Sequence, residues 1–313
     1  AILDGVSRLH GQNAIDLMIN YNGFDLGEND PQLKDVNLSN VFYKTGERPG
    51  EVRVRHTVGN GDRLRISDPG EDTPLESLID TYSLTDFKIK LHGNPDEDIA
   101  RVSAIASLLD EKVGTYKVTL DANESYGDWG ELESFAEQFS KASTLENFRK
   151  VTSYVEQPIP RDALQNIDDA GIKAIQAVQN YGLRILIDEG DDQINSFDLA
   201  VEYGVKGISV KLCKTVEKAV KHAAMVYVLN GRSLEGDYFM TQEDLTVADG
   251  PDLLQVLDFA DAMRLYADVE SNGFIKTDAG VWMLPEERVS LVKNNPLVYT
   301  GGEDGISVVL HGN

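Results

Sequence analysis

Five short apolar runs each end in charged or amide residues, and their order along the chain constrains its fold. The runs are Phe87–Lys90, Leu120–Asn123, Val155–Pro158, Ile187–Gly190 and Val210–Lys214. Between and after them, apolar residues recur at helical spacing over residues 96–111, 129–141, 164–180 and 216–229. Strand and helix alternate about every 25–35 residues, which predicts parallel βα units in a doubly wound sheet or a barrel.

The polar strand ends favour the barrel. Several separate strands carry polar residues at their C-terminal ends, which is how a (β/α)8 barrel builds its site. A doubly wound sheet usually shows a glycine-rich phosphate loop after an early strand, and the sequence has neither G-x-G-x-x-G nor G-x-x-x-x-G-K-[ST]. We therefore expect an α/β fold of the (β/α)8 type.

Charge and cysteine content limit the partners of the chain. The 29 basic and 53 acidic residues give a formal net charge of −24, and such a surface repels nucleic acid and anionic membranes. No apolar run approaches the roughly 20 residues that cross a bilayer. The single cysteine, Cys213, cannot form an internal disulfide, which favours a reducing compartment. We expect a cytoplasmic protein that binds a small molecule, and homo-oligomer formation stays open.

The polar residues of the five runs have ordinary explanations when each is taken alone. Lys88 and Lys90 share one face of a strand, and a solvated strand edge would accommodate both without a buried charge. Asp121 and Asn123 could form a turn or a helix cap. An ordinary structural explanation fits Lys211 less well, because this lysine interrupts an apolar strand. The ordered set therefore carries more information than any of its members.

Taken in order, the runs resemble the enolase superfamily, and specifically its muconate-lactonizing-enzyme-like subgroup. That subgroup has Lys-x-Lys on the second barrel strand, carboxylates at the ends of the third, fourth and fifth strands, and a lysine on the sixth. The matching segments here are Lys88-Ile89-Lys90, Asp121-Ala122-Asn123, Glu156-Gln157-Pro158, Asp188-Glu189 and Lys211-Leu212-Cys213-Lys214. The resemblance is strongest over residues 85–220 and implies a modified TIM barrel, (β/α)7β, with an N-terminal cap.

The resemblance implies a metal site. Asp121, Glu156 and Asp188 would bind one divalent ion, Mg²⁺ with Mn²⁺ as the alternative, since hard oxygen ligands suit both ions. Glu189 could take the place of Asp188 as the third ligand. Remaining coordination positions would be left for water and the substrate carboxylate.

The same resemblance makes Lys90 and Lys211 an acid/base pair on opposite sides of the substrate, with Lys88 supporting Lys90. Such enzymes remove the proton next to a carboxylate through a metal-stabilised ene-diolate. A lysine must be neutral to accept that proton, so its pKa must fall from about 10.4 toward neutrality. The like charge of Lys88 beside Lys90 has the sign that this change requires.

The substrate contacts are less clearly marked than the metal site. The candidates are Asn123, Asp244, Glu270 and Asn272. Asp268-Val269-Glu270 only approximates the Asp-x-Asp signature of dipeptide epimerases. His222 lies within a predicted helix and His311 in the tail, so the His–Asp pair of mandelate-racemase-like members is not evident. The C-terminal third thus diverges from the better-known members.

Residues 1–46 resemble only the last helices of the superfamily's N-terminal cap. We therefore expect a remnant of the capping domain at 1–46, the barrel with its metal site at 47–290, and a C-terminal segment at 291–313 that packs back on the cap. The helical pattern begins at Ala1 without an N-cap residue. We accordingly expect the natural gene to encode roughly 80–120 more residues upstream, by ordinary domain sizes.

The implied function is Mg²⁺-dependent abstraction of an α-proton from a carboxylate, and a racemase or epimerase is the first interpretation. Two lysines on opposite faces equally permit syn-elimination, as in o-succinylbenzoate synthase, or cycloisomerisation. A non-catalytic barrel that keeps the site residues for binding or scaffolding is the alternative from a different class.

Overall fold

A computed structural model describes residues 2–21, 26–28, 30–47, 53–232, 237–243, 251–263, 270–271, 293, 299–302 and 305–308. The chain divides into a central unit, Arg55–Ser209, and a terminal unit made of Ala1–Val54 and Val210–Asn313. No described helix combines the length and the hydrophobicity that a membrane crossing requires.

The described secondary structure alternates strands and helices through the central unit. The strands are β1 (Arg53–Val54), β2 (His56–Val58), β3 (Asp86–Lys90), β4 (Lys117–Asp121), β5 (Thr152–Glu156), β6 (Ile185–Ile187), β7 (Gly207–Val210), β8 (Phe239–Gln242), β9 (Glu270–Ser271), β10 (Tyr299–Gly302) and β11 (Gly305–Val308). The α-helices are α1 (Ile2–His10), α2 (Ala14–Asn20), α3 (Leu75–Tyr82), α4 (Pro95–Lys112), α5 (Trp129–Lys141), α6 (Glu146–Val151), α7 (Arg161–Gln165), α8 (Asp169–Asn180), α9 (Ser196–Glu202), α10 (Val216–Arg232) and α11 (Pro251–Ala262). Short 3-10 helices occupy Leu26–Glu28, Pro31–Leu33, Leu38–Asn40, Ser143–Leu145 and Leu212–Lys214.

The strands of the central unit form a parallel sheet. Its order follows the sequence from β2 to β7, and each neighbouring pair is parallel. At least one helix connects each strand to the next. In this order β8 comes next after β7, so the described residues supply seven strands. The expected α/β fold of the (β/α) barrel class is confirmed, with an incomplete set of strands in the described part of the chain.

The strands of the sheet are buried, which explains why the sequence shows apolar runs in place of strict alternation. Every residue of β6 and β7 is buried, and β3 is buried from Asp86 to Ile89. Parallel strands covered by helices on the outside lack a solvent face, so both faces select apolar side chains. A charged residue within such a strand must therefore be paired.

Helix boundaries follow the capping residues. Asn94 accepts hydrogen bonds from the N–H groups of Asp96 and Glu97, and Pro95 occupies the first turn, so α4 begins one residue before its predicted start. The helix expected within residues 164–180 is α8. It begins only at Asp169, because the side chain of Asp168 accepts a hydrogen bond from the N–H of Gly171 at 2.9 Å and so caps the start of the helix.

A buried carboxylate on α4 holds the loops that follow β3 and β4. Asp98 accepts from the N–H groups of His92 (2.7 Å) and Gly93 (3.1 Å) and from the Tyr126 hydroxyl (2.9 Å). Asp98 and Tyr126 have no exposed surface. Burial, reinforced by the charge of Asp98, raises the pKa of the Tyr126 phenol. The chain directly after Lys90 is fixed by these contacts.

The terminal unit has its own strand pairs. β1 and β9 are parallel, and β10 and β11 are antiparallel. The N–H of Glu243, the residue after β8, donates to the carbonyl of Val210 at the end of β7 (3.0 Å). Asn13 caps α2 and donates to the Asp258 carboxylate of α11 (3.0 Å). The predicted division at residues 46 and 290 stays a prediction.

Gly93 provides a test of the contact between the two loops. It lies at φ +87°, and a Cβ there would come 2.1 Å from the carbonyl oxygen of Ser125. We expect Gly93→Ala to lower the free energy of unfolding by about 2–3 kcal/mol, since backbone must move. Gly114 is a matched control at φ +76°, because its Cβ would meet nothing within 4 Å. Urea titrations that give equal losses for both alanine variants would contradict this close approach.

Candidate active site

Three charged residues lie side by side at the C-terminal ends of β3, β4 and β5. In the sheet register Lys90 pairs with Asp121, and Asp121 pairs with Glu156. Residues paired across neighbouring strands project to the same face of the sheet, and Lys88, two positions before Lys90, shares that face. Sequence-predicted residues from three separate strands are thus brought together.

Lys88 is an almost completely buried cation between two buried carboxylates. Its Nζ lies 2.8 Å from Oδ2 of Asp121 and 3.0 Å from Oε2 of Glu156. The exposed fractions of the three side chains are 1%, 1% and 0%. A buried ammonium is costly without such partners. Lys88 therefore does not lie on a solvated strand edge, which was the ordinary explanation for this pair of lysines.

Lys90 also reaches Asp121 but keeps contact with solvent. Its Nζ lies 2.6 Å from Oδ2 of Asp121, and 25% of its side chain is exposed. Burial on its own would raise the pKa of Asp121, but the charges and hydrogen bonds of Lys88 and Lys90 outweigh it and hold that pKa below its usual range. Asp121 is therefore a carboxylate in its ionised form at neutral pH.

Asp188 follows β6 and is positioned by a buried glutamine. Oε1 of Gln157 accepts from the N–H groups of Asp188 and Gly190, each at 2.9 Å, and its Nε2 donates to the carbonyl of Ile159 (2.8 Å). A Cβ on Gly190 would come 3.1 Å from Oε1 of Gln157, so the backbone approaches closely there. Sequence reasoning gave Gln157 no role. Only its place in the Glu-Gln-Pro run drew attention to it.

Asn123 connects Lys90 to Glu189. Its Oδ1 accepts from Nζ of Lys90 (2.5 Å), and its Nδ2 donates to Oε1 of Glu189 (3.0 Å). The other carboxylate oxygen of Glu189 is buried and has no hydrogen-bond partner among the described residues. Burial raises the pKa of Glu189, and the nearby negative charge of Asp188 adds to this effect. The hydrogen bond from Asn123 acts in the opposite direction but does not outweigh them. Asn123, predicted as a substrate contact, thus also contacts a predicted catalytic lysine.

Lys211 lies in the terminal unit, directly after β7. Its Nζ forms an ion pair with Glu243 at 2.8 Å, and 10% of its side chain is exposed. Glu243 follows β8, so two strand ends of this unit meet in one ion pair. The arrangement of Lys211 opposite Lys90 stays a prediction.

Of the remaining predicted substrate contacts, Asp244 and Asn272 lie outside the described residues, and for Glu270 only the backbone in β9 is described. His222 is buried in α10, within the helix predicted there.

A family comparison agrees with the resemblance found in the sequence. The model of the enolase C-terminal domain-like family matches residues 74–231, just over half of the chain. The chain belongs to this family. No curated protein matches it significantly.

Solved structures of similar fold come from the same group of enzymes. An enolase of the mandelate racemase subgroup from Agrobacterium tumefaciens matches with a TM-score of 0.54 and 12% identity, over 99% of this chain and 67% of its own. A mandelate racemase/muconate lactonizing protein from Herpetosiphon aurantiacus gives 0.50 and 16%, over 70% and 54%. One from Paracoccus denitrificans, complexed with magnesium, gives 0.50 and 15%, over 99% and 67%. At these identities the likeness shows the fold alone, and the chain spans only 54% of the Herpetosiphon protein.

The enolase-like site of the central unit has the donor chemistry of a divalent-cation site. Asp121, Glu156 and Asp188 are buried carboxylates, and carboxylate oxygens of Glu156 and Asp188 lie within 4.8 Å of each other. The ammonium groups of Lys88 and Lys90 contact this set of acids, so three carboxylates and two cations leave one formal negative charge. Hard oxygen donors with this residual charge fit Mg²⁺ or Mn²⁺.

The buried Lys88 ammonium provides a stability test with a defined pH dependence. We expect Lys88→Met to lower the free energy of unfolding at pH 7 by about 3–5 kcal/mol, since two carboxylates lose their buried partner. In the parent protein the contribution of Asp121 is present above the ordinary pKa of 3.8 and is lost as pH falls through its lower folded value. In the variant, burial favours the protonated acids. The difference between the two proteins should therefore shrink as pH falls below 4.

Urea titrations from pH 3 to pH 7 measure that difference. Lys150→Met is the control, because Lys150 forms an exposed ion pair with Glu146, and we expect it to change stability little at any pH. A loss in Lys88→Met that stays constant over the whole range would contradict the assignment to the Asp121 and Glu156 charges.

Proposed function

We propose that the chain is a divalent-metal-dependent enzyme that removes the proton next to the carboxylate of a small-molecule substrate. The row of Lys90, Asp121 and Glu156 at three adjacent strand ends carries the proposal. It sets a partly exposed lysine beside buried carboxylates in a chain of the enolase C-terminal domain-like family. Racemisation or epimerisation is the reaction that we favour.

Asp121, Glu156 and Asp188 would hold the metal ion, with Glu189 as the alternative third ligand. We propose Mg²⁺ because all the donors are carboxylate oxygens, and Mn²⁺ would fit the same ligands. The Paracoccus denitrificans protein of similar fold is complexed with magnesium, which supports this choice. A bound divalent cation would act as a Lewis acid and offset the negative charge that develops on the substrate carboxylate.

The two lysines of β3 have different environments, and we assign them different tasks. Lys88 is 1% exposed and is held by two carboxylates, so it is a fixed charge that keeps Asp121 and Glu156 in place. Lys90 is 25% exposed, and its ammonium contacts Asp121 and Asn123 at the strand end. Lys90 can therefore meet a substrate and exchange a proton with its α-carbon, whereas Lys88 cannot.

Lys211 is the proposed second acid/base group. It follows β7, as Lys90 ends β3, and the C-terminal ends of barrel strands supply catalytic residues. A second lysine that serves the opposite face of the α-carbon would return the proton with inversion. If the substrate carries a leaving group, the same abstraction by Lys90 would lead to elimination.

Proton exchange with solvent tests this function lysine by lysine. We incubate the protein with Mg²⁺, D₂O and separate enantiomers of a carboxylate library, and follow the α-proton by NMR. Because each lysine would serve one face, Lys90→Ala should slow exchange of one enantiomer by about 10²–10⁴-fold, and Lys211→Ala should slow exchange of the other. The double variant should exchange neither.

Lys173→Ala is the matched control, since Lys173 is exposed on α8 and should leave exchange unchanged. A deuterated substrate of inverted configuration identifies a racemase or epimerase, and an unsaturated product that has lost water identifies a dehydratase. Exchange that survives in the double variant would overturn the roles of the lysines. No exchange with any carboxylate would favour the non-catalytic barrel.

Metal binding is tested independently of activity through thermal unfolding. A ligand that binds only the folded state stabilises it by about 2.7 kcal/mol at 100 times its Kd. We expect Mg²⁺ to raise the Tm of the parent protein and to have a much smaller effect on Asp121→Asn. The chain is strongly acidic and attracts cations non-specifically, so Asp162→Asn, at an exposed acid of α7, is the control. An equal response of both variants would refute the proposed ligand.

A further inference from the structure

The turn after β4 has an unusual backbone. Asn123 and Glu124 are consecutive residues with φ +43° and +66°, in the left-handed region that favours glycine. Asparagine tolerates this conformation because its short side chain bonds locally, but glutamate has no such advantage. Surrounding contacts must therefore hold Glu124 in place.

Those contacts come from the segment that follows β5. The N–H of Glu124 donates to the carbonyl of Gln157 at 2.8 Å. The carboxylate of Glu124 accepts three hydrogen bonds from Arg161, from its backbone N–H (2.7 Å), Nε (2.9 Å) and Nη2 (2.7 Å). The guanidinium thus binds both carboxylate oxygens in a planar, bidentate geometry that lysine cannot reproduce. We call this pair the Glu124–Arg161 clamp.

The clamp lies next in the chain to the group that contacts Lys90. Oδ1 of Asn123 accepts from Lys90, its Nδ2 donates to Glu189, and its own N–H donates to Oδ1 of Asp121 at 3.0 Å. Rotation of the Glu124 backbone would turn the peptide that Asn123 shares with it. Both side-chain partners of Asn123 would then lose their alignment.

Stability alone does not account for the clamp. The side chains of Arg161 and Glu124 are 44% and 24% exposed, and ion pairs with this much solvent contact contribute little to folding. A glycine in place of Glu124 would relieve the strain of this backbone, but without the carboxylate it would also be free to adopt other conformations. The fold therefore has little need of this glutamate, whereas the orientation of Asn123 depends on it.

We propose that Glu124 and Arg161 are positioning residues, which hold Asn123 in the orientation that directs Lys90. The inference rests on the proposed function for its catalytic consequence, and on the structure alone for the position of Asn123. Neither residue contacts the reacting atoms in this assignment. Both act through the backbone of the turn and the side chain of Asn123.

The test compares four variants of the full chain: Arg161→Ala, Arg161→Lys, Glu124→Gly, and Lys141→Ala as the control. Lys141 forms an exposed ion pair with Glu137 elsewhere in the central unit. The position of Asn123 is read from its side-chain amide resonance in protein labelled with ¹⁵N-asparagine, identified by its loss in Asn123→Asp. We expect the resonance to shift in Arg161→Ala and Glu124→Gly, to shift less in Arg161→Lys, and to stay in place in the control.

Kinetics of the proposed proton exchange give the second measurement. We expect kcat to fall about tenfold in Arg161→Ala and Glu124→Gly with KM nearly unchanged, because misorientation impairs the reacting geometry more than binding. Arg161→Lys should recover part of the loss, while the Tm of all variants stays close to that of the parent.

The two measurements test different parts of the proposal, and each can contradict its part independently of the other. An unmoved Asn123 resonance in folded Arg161→Ala and Glu124→Gly overturns the clamp, whatever the activity. A shifted resonance with parental kcat overturns its role in directing Lys90. If the parent protein exchanges no carboxylate, the proposed function fails, and a shifted resonance still supports the clamp as the device that positions Asn123.

Discussion

The ion pairs of Lys88 with Asp121 and Glu156 are the interaction on which the centre of this protein depends. These side chains sit inside a parallel sheet, where an isolated charge costs several kcal/mol and neutralisation is the usual response. One ammonium within 3.0 Å of both carboxylates lets the acids remain ionised in the core. Ionised carboxylates are also what the proposed divalent cation would require, so the contacts that stabilise these charges in the core also suit them to the proposed metal site.

Sheet geometry then distinguishes two lysines that the strand pattern alone presents as equivalent. Lys88 and Lys90 are two residues apart on one face of β3, but Lys90 is the last residue of the strand. Depth along the strand therefore makes one a fixed internal charge and the other an accessible group beside the same carboxylate. The proposed division between holding charge and moving a proton follows from this difference of about two residues, or roughly 7 Å along a strand.

Amide side chains organise the loops around these charges. Gln157 accepts hydrogen bonds from the backbone of the turn that carries Asp188, while Asn123 is hydrogen-bonded to both Lys90 and Glu189. An amide can donate and accept at once without adding charge, which suits positions crowded with carboxylates. The predicted alternation of strands and helices and the ordered acids revealed the strands and their charged ends. The partners that matter for the site, however, lie more than 30 residues away in the chain: Lys90 and Glu189 for Asn123, and Asp188 and Gly190 for Gln157. Local patterns contain no information on such pairs.

By itself, the sequence determined the alternation of strands and helices, the residue types at the strand ends and their resemblance to the enolase superfamily. Those properties depend on local periodicity and on residue identity, which can be read without coordinates. Only the tertiary structure decided which charges are buried, which lysine keeps solvent contact, and that Glu124 and Arg161 are joined. These depend on strand register and on loops meeting across the sheet, and register sets which residues face each other.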